Sequence, residues 1–352
     1  MLEKPDLPDE KIIACLQAEY GLAVVQVTFL PLGADINTAV YRAISDNQET
    51  YFVKLRRGVF DEISVELPQF LSEQGIGQVI APLKNISGQL WSHLDAYKMI
   101  LHPFIKGHDG YEADLSDQHW VTLGIALKRI HTVKLSPALT NHIQKETYPA
   151  QWRETVKSYL KRIDVETFSD PITVELAKYL KGKRAEILDL VERTEWLTQA
   201  LLVQSTEFVV CHADIHAGNI LMPDNNHLYI VDWDAPLLAP KERDLMYAGG
   251  GQFGNLRTPD EEETLFYRGY GQTDVNPIAL AYYRHERIVE DLAVECDQIF
   301  SRHDSRADRE QSLRYLKSNF LPGGVLDIAR RSDKTRIPEE SREPKCKKTS
   351  LK

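Results

Sequence analysis

An α+β chain in two lobes is the fold class this sequence predicts: a five-stranded antiparallel sheet with a helix, followed by a larger and mainly helical part. Three observations carry it. The first 105 residues contain short runs of β-branched and aromatic residues separated by turn formers. From residue 107 onward, apolar residues recur mostly at helical spacing. Within that helical part, one polar loop, His212 to Asn219, is followed by a short hairpin of apolar strands. The expected division is residues 1–105, ending in a connecting segment at 101–106, then 107–329, then a tail at 330–352.

The opening helix is read from Ile12, Ile13 and Leu16, spaced along residues 9–19. Strands follow at 24–30, 39–44 and 50–55, the last two joined by the turn residues Ser45-Asp-Asn-Gln48. A second helix is marked by Ile63, Leu67, Phe70 and Leu71, with Pro68 suggesting its start or a kink. Runs at 79–83 and 96–105 complete the predicted five strands. Gly107 and Gly110 then let the chain turn. Trp120, Leu123, Leu127 and Ile130 define a helix over 117–133, capped by Ser116 or Asp117. Two or three amphipathic helices fill 150–203. The tail is charged and almost free of apolar residues, which predicts disorder.

The chemistry sits in His212-Ala-Asp214-Ile-His216-Ala-Gly-Asn219. His, Asp two residues on and Asn five further is the spacing of a kinase catalytic loop. After Ile220-Leu-Met and a turn at 223–226, the strand 228–231 delivers Asp232, so Asn219 and Asp232 are predicted to open onto one cavity. Phosphoryl transfer needs this set: Asp214 to orient the attacking hydroxyl, and Asn219 with Asp232 to hold Mg2+ against the phosphates of ATP. Oxygen ligands without thiolate favour magnesium over zinc.

The pattern His-x-Asp-x-His-x-x-Asn resembles the aminoglycoside phosphotransferase and choline kinase superfamily, whose substrates are small molecules. Residues 230–246, the triple glycine 249–251 and Tyr282 to Asp291 look like its spectinomycin 9-phosphotransferase branch. The resemblance implies a bilobal protein-kinase-like fold and a set of roles. Pro31 to Asn37, with Gly33 and Asp35, takes the place of the phosphate-covering loop. Lys54, an ammonium among Tyr51, Phe52, Val53 and Leu55, requires a partner; the family pairs it with a helix glutamate and the ATP phosphates. Glu62 and Glu66 both qualify, and Glu62 is preferred because Glu66 adjoins Pro68. His102, Phe104 and Ile105 lie in the adenine-binding hinge. Trp233, Asp234, Glu242, Tyr282, Glu286 and Glu290 are the substrate candidates, while Asp244 is placed to brace the catalytic loop. Residues 282, 286 and 290 share one helix face; a solvated face paired with Arg284 and Arg287 is the plainer reading of them.

Composition narrows the partners. A net charge of −10 argues against nucleic acid. Residues 330–352 hold nine Lys/Arg against four Asp/Glu, leaving −15 for the rest, which favours a cationic small-molecule substrate. No run has the length of a membrane span, and the opening ten residues lack the apolar core of a leader. Four scattered cysteines suit a reducing cytoplasm. A monomer is the favoured state. The expected function is an ATP-dependent kinase acting on a hydroxyl of spectinomycin or a related aminocyclitol, with choline, an amino sugar or another aminoglycoside as the alternative acceptor. A catalytically dead nucleotide-binding regulator is disfavoured by the intact set Lys54, Asp214, Asn219 and Asp232.

Overall fold

A computed structural model describes residues 4–33, 37–254, 256–301 and 306–335. The chain divides into two compact units, residues 1–147 with 207–273 and residues 148–206 with 274–352. The expected division after residue 105 falls inside the first unit. Its cause is β-pairing across that boundary: β6 (His108–Asp109) pairs with β8 (Ile220–Met222) of the catalytic hairpin.

The first unit begins with α1 (Asp9–Tyr20), ended by Gly21 in the left-handed region at φ 69°. A five-stranded antiparallel sheet follows in the order β1-β2-β3-β5-β4, from β1 (Val24–Leu30), β2 (Thr38–Ser45), β3 (Thr50–Arg57), β4 (Ser92–Leu94) and β5 (Tyr97–Pro103). The strand count is as expected, but one strand is not. Residues 79–83 contribute only a parallel bridge from Val79 to Ile230, and Ser92–Leu94 takes the edge of the sheet instead. Pro82 has no N–H for a ladder; beside that bridge the run touches β5 through the Leu83 amide on the Leu101 carbonyl, and the catalytic hairpin through the Ile230 amide on the Gln78 carbonyl.

Alternation in β3 decides which face carries function. Val53 and Leu55 are buried against Ile12, Leu16, Met99 and Leu101, so Phe52, Lys54 and Arg56 face the other side. Between β3 and β4, α2 (Ile63–Glu73) contains Pro68 in its interior rather than at its first turn. Then come α3 (Asp117–Thr132), capped by Ser116 in a capping box with His119, and the short α4 (Pro137–His142).

The second unit is helical: α5 (Gln151–Val165), α6 (Pro171–Leu202), α9 (Pro277–Phe300), α10 (Arg306–Ser318) and α11 (Val325–Ser332). The insertion at 150–203 is therefore two helices. The expected start of the tail at 330 falls inside α11, and the order extends further, since Arg193 holds Asp333 through Nε and Nη2 at 2.6 and 2.8 Å. No helix among the described residues is long and apolar enough to cross a membrane.

One acidic group in this bundle is poorly accommodated. Glu295 on α9 has its Oε2 buried without a hydrogen-bond partner, and burial, then the Asp291 charge, push its carboxyl up to about 7 against a hydrogen bond from Ser312. The folded-state value lies above the unfolded one of about 4.3. The stability it allows is therefore complete below that unfolded value and is lost as pH rises through 7. Glu295→Gln should be roughly 3 kcal/mol more stable than the wild type at pH 8 and nearly equal at pH 4. Urea midpoints at the two pH values check this, and an equal effect at both would refute it.

Candidate active site

The first unit supplies the rest of the elements that build the site: β7 (Val209–Cys211), a single 3-10 turn (Ala217–Asn219), β9 (Tyr229–Ile230), β10 (Leu237–Ala239), α7 (Glu242–Leu245) and α8 (Pro259–Tyr270). The hairpin β8–β9 pairs Ile220 with Ile230, and the Val231 amide donates to the Asn219 carbonyl at 3.0 Å. Asn219 and Asp232 thus flank one hairpin mouth, as their spacing predicts.

Two residues at this mouth are strained. Ala213 has φ 73° and Asp232 has φ 64°, both in the left-handed region disfavoured for side chains other than glycine. Buried Asp244 holds the first in place, accepting from the amides of His212 at 2.9 Å and Ala213 at 2.7 Å. The brace expected of Asp244 is present and has a back wall. His131 bonds Asp244 at 3.0 Å through Nε2 and Tyr270 Oη at 2.8 Å through Nδ1. Burial opposes the charge on Asp244, yet the His131 bond and the loop amides hold its carboxyl below the usual carboxylate range.

His212 ties the loop to the second carboxylate. Its Nδ1 accepts from the Asp214 amide at 3.2 Å and its Nε2 donates to the Val231 carbonyl at 2.9 Å. Asp214 itself is partly exposed. Asn219 Nδ2 donates to its carbonyl at 2.8 Å and to Oδ2 at 3.3 Å, while Tyr247 Oη lies 3.3 Å from Oδ1 and donates to the Ala213 carbonyl at 2.9 Å. Tyr247 was missed in the sequence, although its place three residues after Asp244 puts it one helical turn along.

Lys54 is the main correction. Its ammonium bonds Asp232 at 2.7 Å and Asp234 at 2.6 Å, not a glutamate of α2. Glu62 precedes the first turn of α2 and is exposed, and Glu66 faces His142 at 3.3 Å. Arg56 pairs with the other oxygen of Asp234. It lies two residues after Lys54 on the same strand face, a period-2 signal the sequence offered. Burial works against charge on both Lys54 and Asp232, but their pairing prevails, raising the lysine and lowering the aspartate. His102 faces the same side of β5, opposite Phe52, and burial, then the Lys54 charge, hold its imidazole down to about 4.

At the hinge, the Phe104 amide donates to the Thr50 carbonyl at 3.1 Å. Antiparallel alternation then turns the Pro103 carbonyl and the Ile105 amide away from β3, an acceptor and a donor two residues apart. Phe104 thus spends its amide on the sheet. Gly33 has φ 83°, while Asp35 lies outside the described residues.

The substrate candidates are divided between the two units. Trp233 is 5% exposed, its indole donates to the Ile230 carbonyl at 3.0 Å, and its ring packs on His212, which stiffens the loop. Asp234 serves the Lys54 pair. Glu242 is buried at the start of α7. Tyr282, Glu286 and Glu290 belong to the second unit, where the expected solvated face is a packed one. Glu286 is 5% exposed and pairs with the buried Arg153 at 2.7 Å, and the Tyr282 ring meets that of Tyr148 at 5.3 Å. An apolar neighbour would strand the Glu286 charge, so the Arg153 partner on α5 is what permits its burial. Glu290 is half-buried.

Residues 28–283 match the model of the phosphotransferase enzyme family (APH). The crystal structure of spectinomycin phosphotransferase APH(9)-Ia with ADP and spectinomycin is similar at 36% identity and a TM-score of 0.87, over 94% of this chain and 99% of that one. The AMP-bound complex of the same enzyme gives 35% and 0.81, over 91% and 97%. Amicoumacin kinase shares the fold alone, at 16% identity and a TM-score of 0.62 over 92% and 97%. The fold expectation holds, a five-stranded antiparallel sheet before a mostly helical part. A family match that spans the sheet, the hinge and the whole catalytic loop leaves one conclusion, that this chain belongs to the phosphotransferase enzyme family and is a kinase acting on hydroxyl groups.

Proposed function

We propose that this enzyme transfers the γ-phosphate of ATP to a hydroxyl of spectinomycin or a closely related aminocyclitol. The observation that carries the reading is the grouping of Asp214, Asn219, Asp232 and Lys54 at one hairpin mouth, in a chain 36% identical over 94% of its length to an enzyme solved with ADP and spectinomycin. The donor set fits magnesium: an amide oxygen and a carboxylate held in its charged form, both hard ligands, on strand ends joined by the Val231–Asn219 bond. Asn219 and Asp232 would hold the metal, which neutralises phosphate charge when bound. Asp214 orients the acceptor hydroxyl and receives its proton. Lys54 grips the phosphates, and the Pro103 carbonyl and Ile105 amide meet the adenine edge.

Acidic surface suits a cationic acceptor, since opposite charge raises its local concentration. Spectinomycin should be consumed at the highest kcat/KM, with kanamycin-type compounds nearly inert, because a compact fused ring system fits a narrower cleft than a flexible three-ring sugar. Direct competition of the two for phosphate from ATP, read by mass spectrometry, tests this. Preference for kanamycin or choline would leave the kinase standing and remove the spectinomycin reading.

A further inference from the structure

Tyr111 is a large aromatic side chain left 64% exposed and stacked on His216, which itself faces Asp214. Its position is built rather than incidental. The segment after the hinge is fastened to the catalytic loop by the Gly110 amide, which donates to the Ala217 carbonyl at 2.9 Å. Asp109 Oδ1 accepts from the amides of Tyr111 at 2.8 Å and Glu112 at 2.9 Å, closing the turn that presents the ring. The ring lies nearly parallel to that of His216, with centroids 5.9 Å apart and 23° between planes.

His216 in turn is oriented. Its Nδ1 accepts from the Gly218 amide at 3.1 Å, so the ring proton resides on Nε2, which lies 3.6 Å from Asp214 Oδ2. Two glycines mark where the parts approach closely. A Cβ at Gly218 would stand 2.9 Å from the His216 ring and 3.1 Å from the Tyr111 ring, and one at Gly110 would stand 2.9 Å from the Ala217 carbonyl oxygen. Close approach at both points keeps the Tyr111 ring against His216, whose Nε2 faces Asp214.

We propose that the Tyr111 ring, backed by His216, is the aromatic wall of the acceptor subsite, taking a cationic alicyclic amine whose hydroxyl is directed at Asp214. The acceptor class rests on the function proposed above. Burying so exposed a ring under a cationic, saturated ring system gains apolar contact and the attraction of an ammonium for the π-face. The residue is a determinant of specificity; the proton transfer belongs to Asp214.

The test is steady-state kinetics with spectinomycin and ATP on the full chain. Tyr111→Ala should raise the KM for spectinomycin about tenfold, with kcat and the KM for ATP within about twofold. Tyr111→Phe, which keeps the ring, should stay within about twofold of wild type. Because the side chain is exposed, both variants should melt with the wild type, which separates a binding role from a folding one. An unchanged spectinomycin KM in Tyr111→Ala, or an equal rise in the ATP KM, would overturn the inference while wild-type turnover of spectinomycin keeps the function. Failure of the wild type to phosphorylate spectinomycin would remove the acceptor reading first, and this inference with it.

Discussion

Asp214→Asn should lower kcat by at least about 10²-fold, the usual size of a lost positioned base, while ATP binding stays within a few-fold of wild type. The geometry makes the substitution clean. Asp214 Oδ2 faces two donors, Asn219 Nδ2 at 3.3 Å and His216 Nε2 at 3.6 Å, whereas Oδ1 faces the hydroxyl of Tyr247. An asparagine can point its oxygen to the two donors and its amide to the hydroxyl, which can accept. No buried donor is orphaned, so the variant should melt with the wild type. What it loses is the negative charge that, in the proposed reaction, aligns the acceptor hydroxyl and takes its proton. Single-turnover kinetics with nucleotide titration separate the two quantities. Retention of most turnover would mean that another group activates the hydroxyl and that the catalytic loop has been misassigned.

The parts of this site that could be read from the sequence are those fixed by local chemistry. Spacing alone placed Asp214, Asn219 and Asp232, because a hairpin of given length dictates what stands at its mouth. Period-2 alternation put Lys54 on a strand, and the structure adds that it faces away from the buried side. The partner of Lys54 was less accessible. Glu62 and Asp234 are both carboxylates at plausible distances along the chain, and the choice depends on where α2 starts and how the loop after β9 folds back. The face of α9 was misread for a related reason. Tyr282, Glu286 and Glu290 do share one side of a helix, but polarity at that spacing looks the same whether it meets water or a buried arginine from α5. The edge strand at 92–94 was hidden because Ser92-His-Leu94 is too short to show alternation, whereas 79–83 has the composition of a strand but a proline, Pro82, that cannot extend a ladder.

Lys54→Ala tests the remaining half of the chemistry. The ammonium lies between Asp232 at 2.7 Å and Asp234 at 2.6 Å, with Arg56 on the far oxygen of Asp234. Holding it there keeps a cation beside the proposed phosphate site, and its side chain is only 12% exposed, which strengthens its field. Loss of the amine should cost roughly 2–4 kcal/mol of transition-state stabilisation, a fall in kcat/KM for ATP of about 30- to 10³-fold. The acceptor KM should move little, since Tyr111 and Asp214 are untouched. Glu62→Gln is the control that decides between the two accounts of this lysine. With Glu62 exposed and Lys54 already paired to the loop carboxylates, that variant should keep wild-type kinetics, while Asp234→Asn should weaken ATP use by loosening the ammonium. The reverse outcome, a damaged Glu62→Gln and a silent Asp234→Asn, would return the lysine to α2 and leave the Asp232–Lys54–Asp234 cluster without a catalytic role.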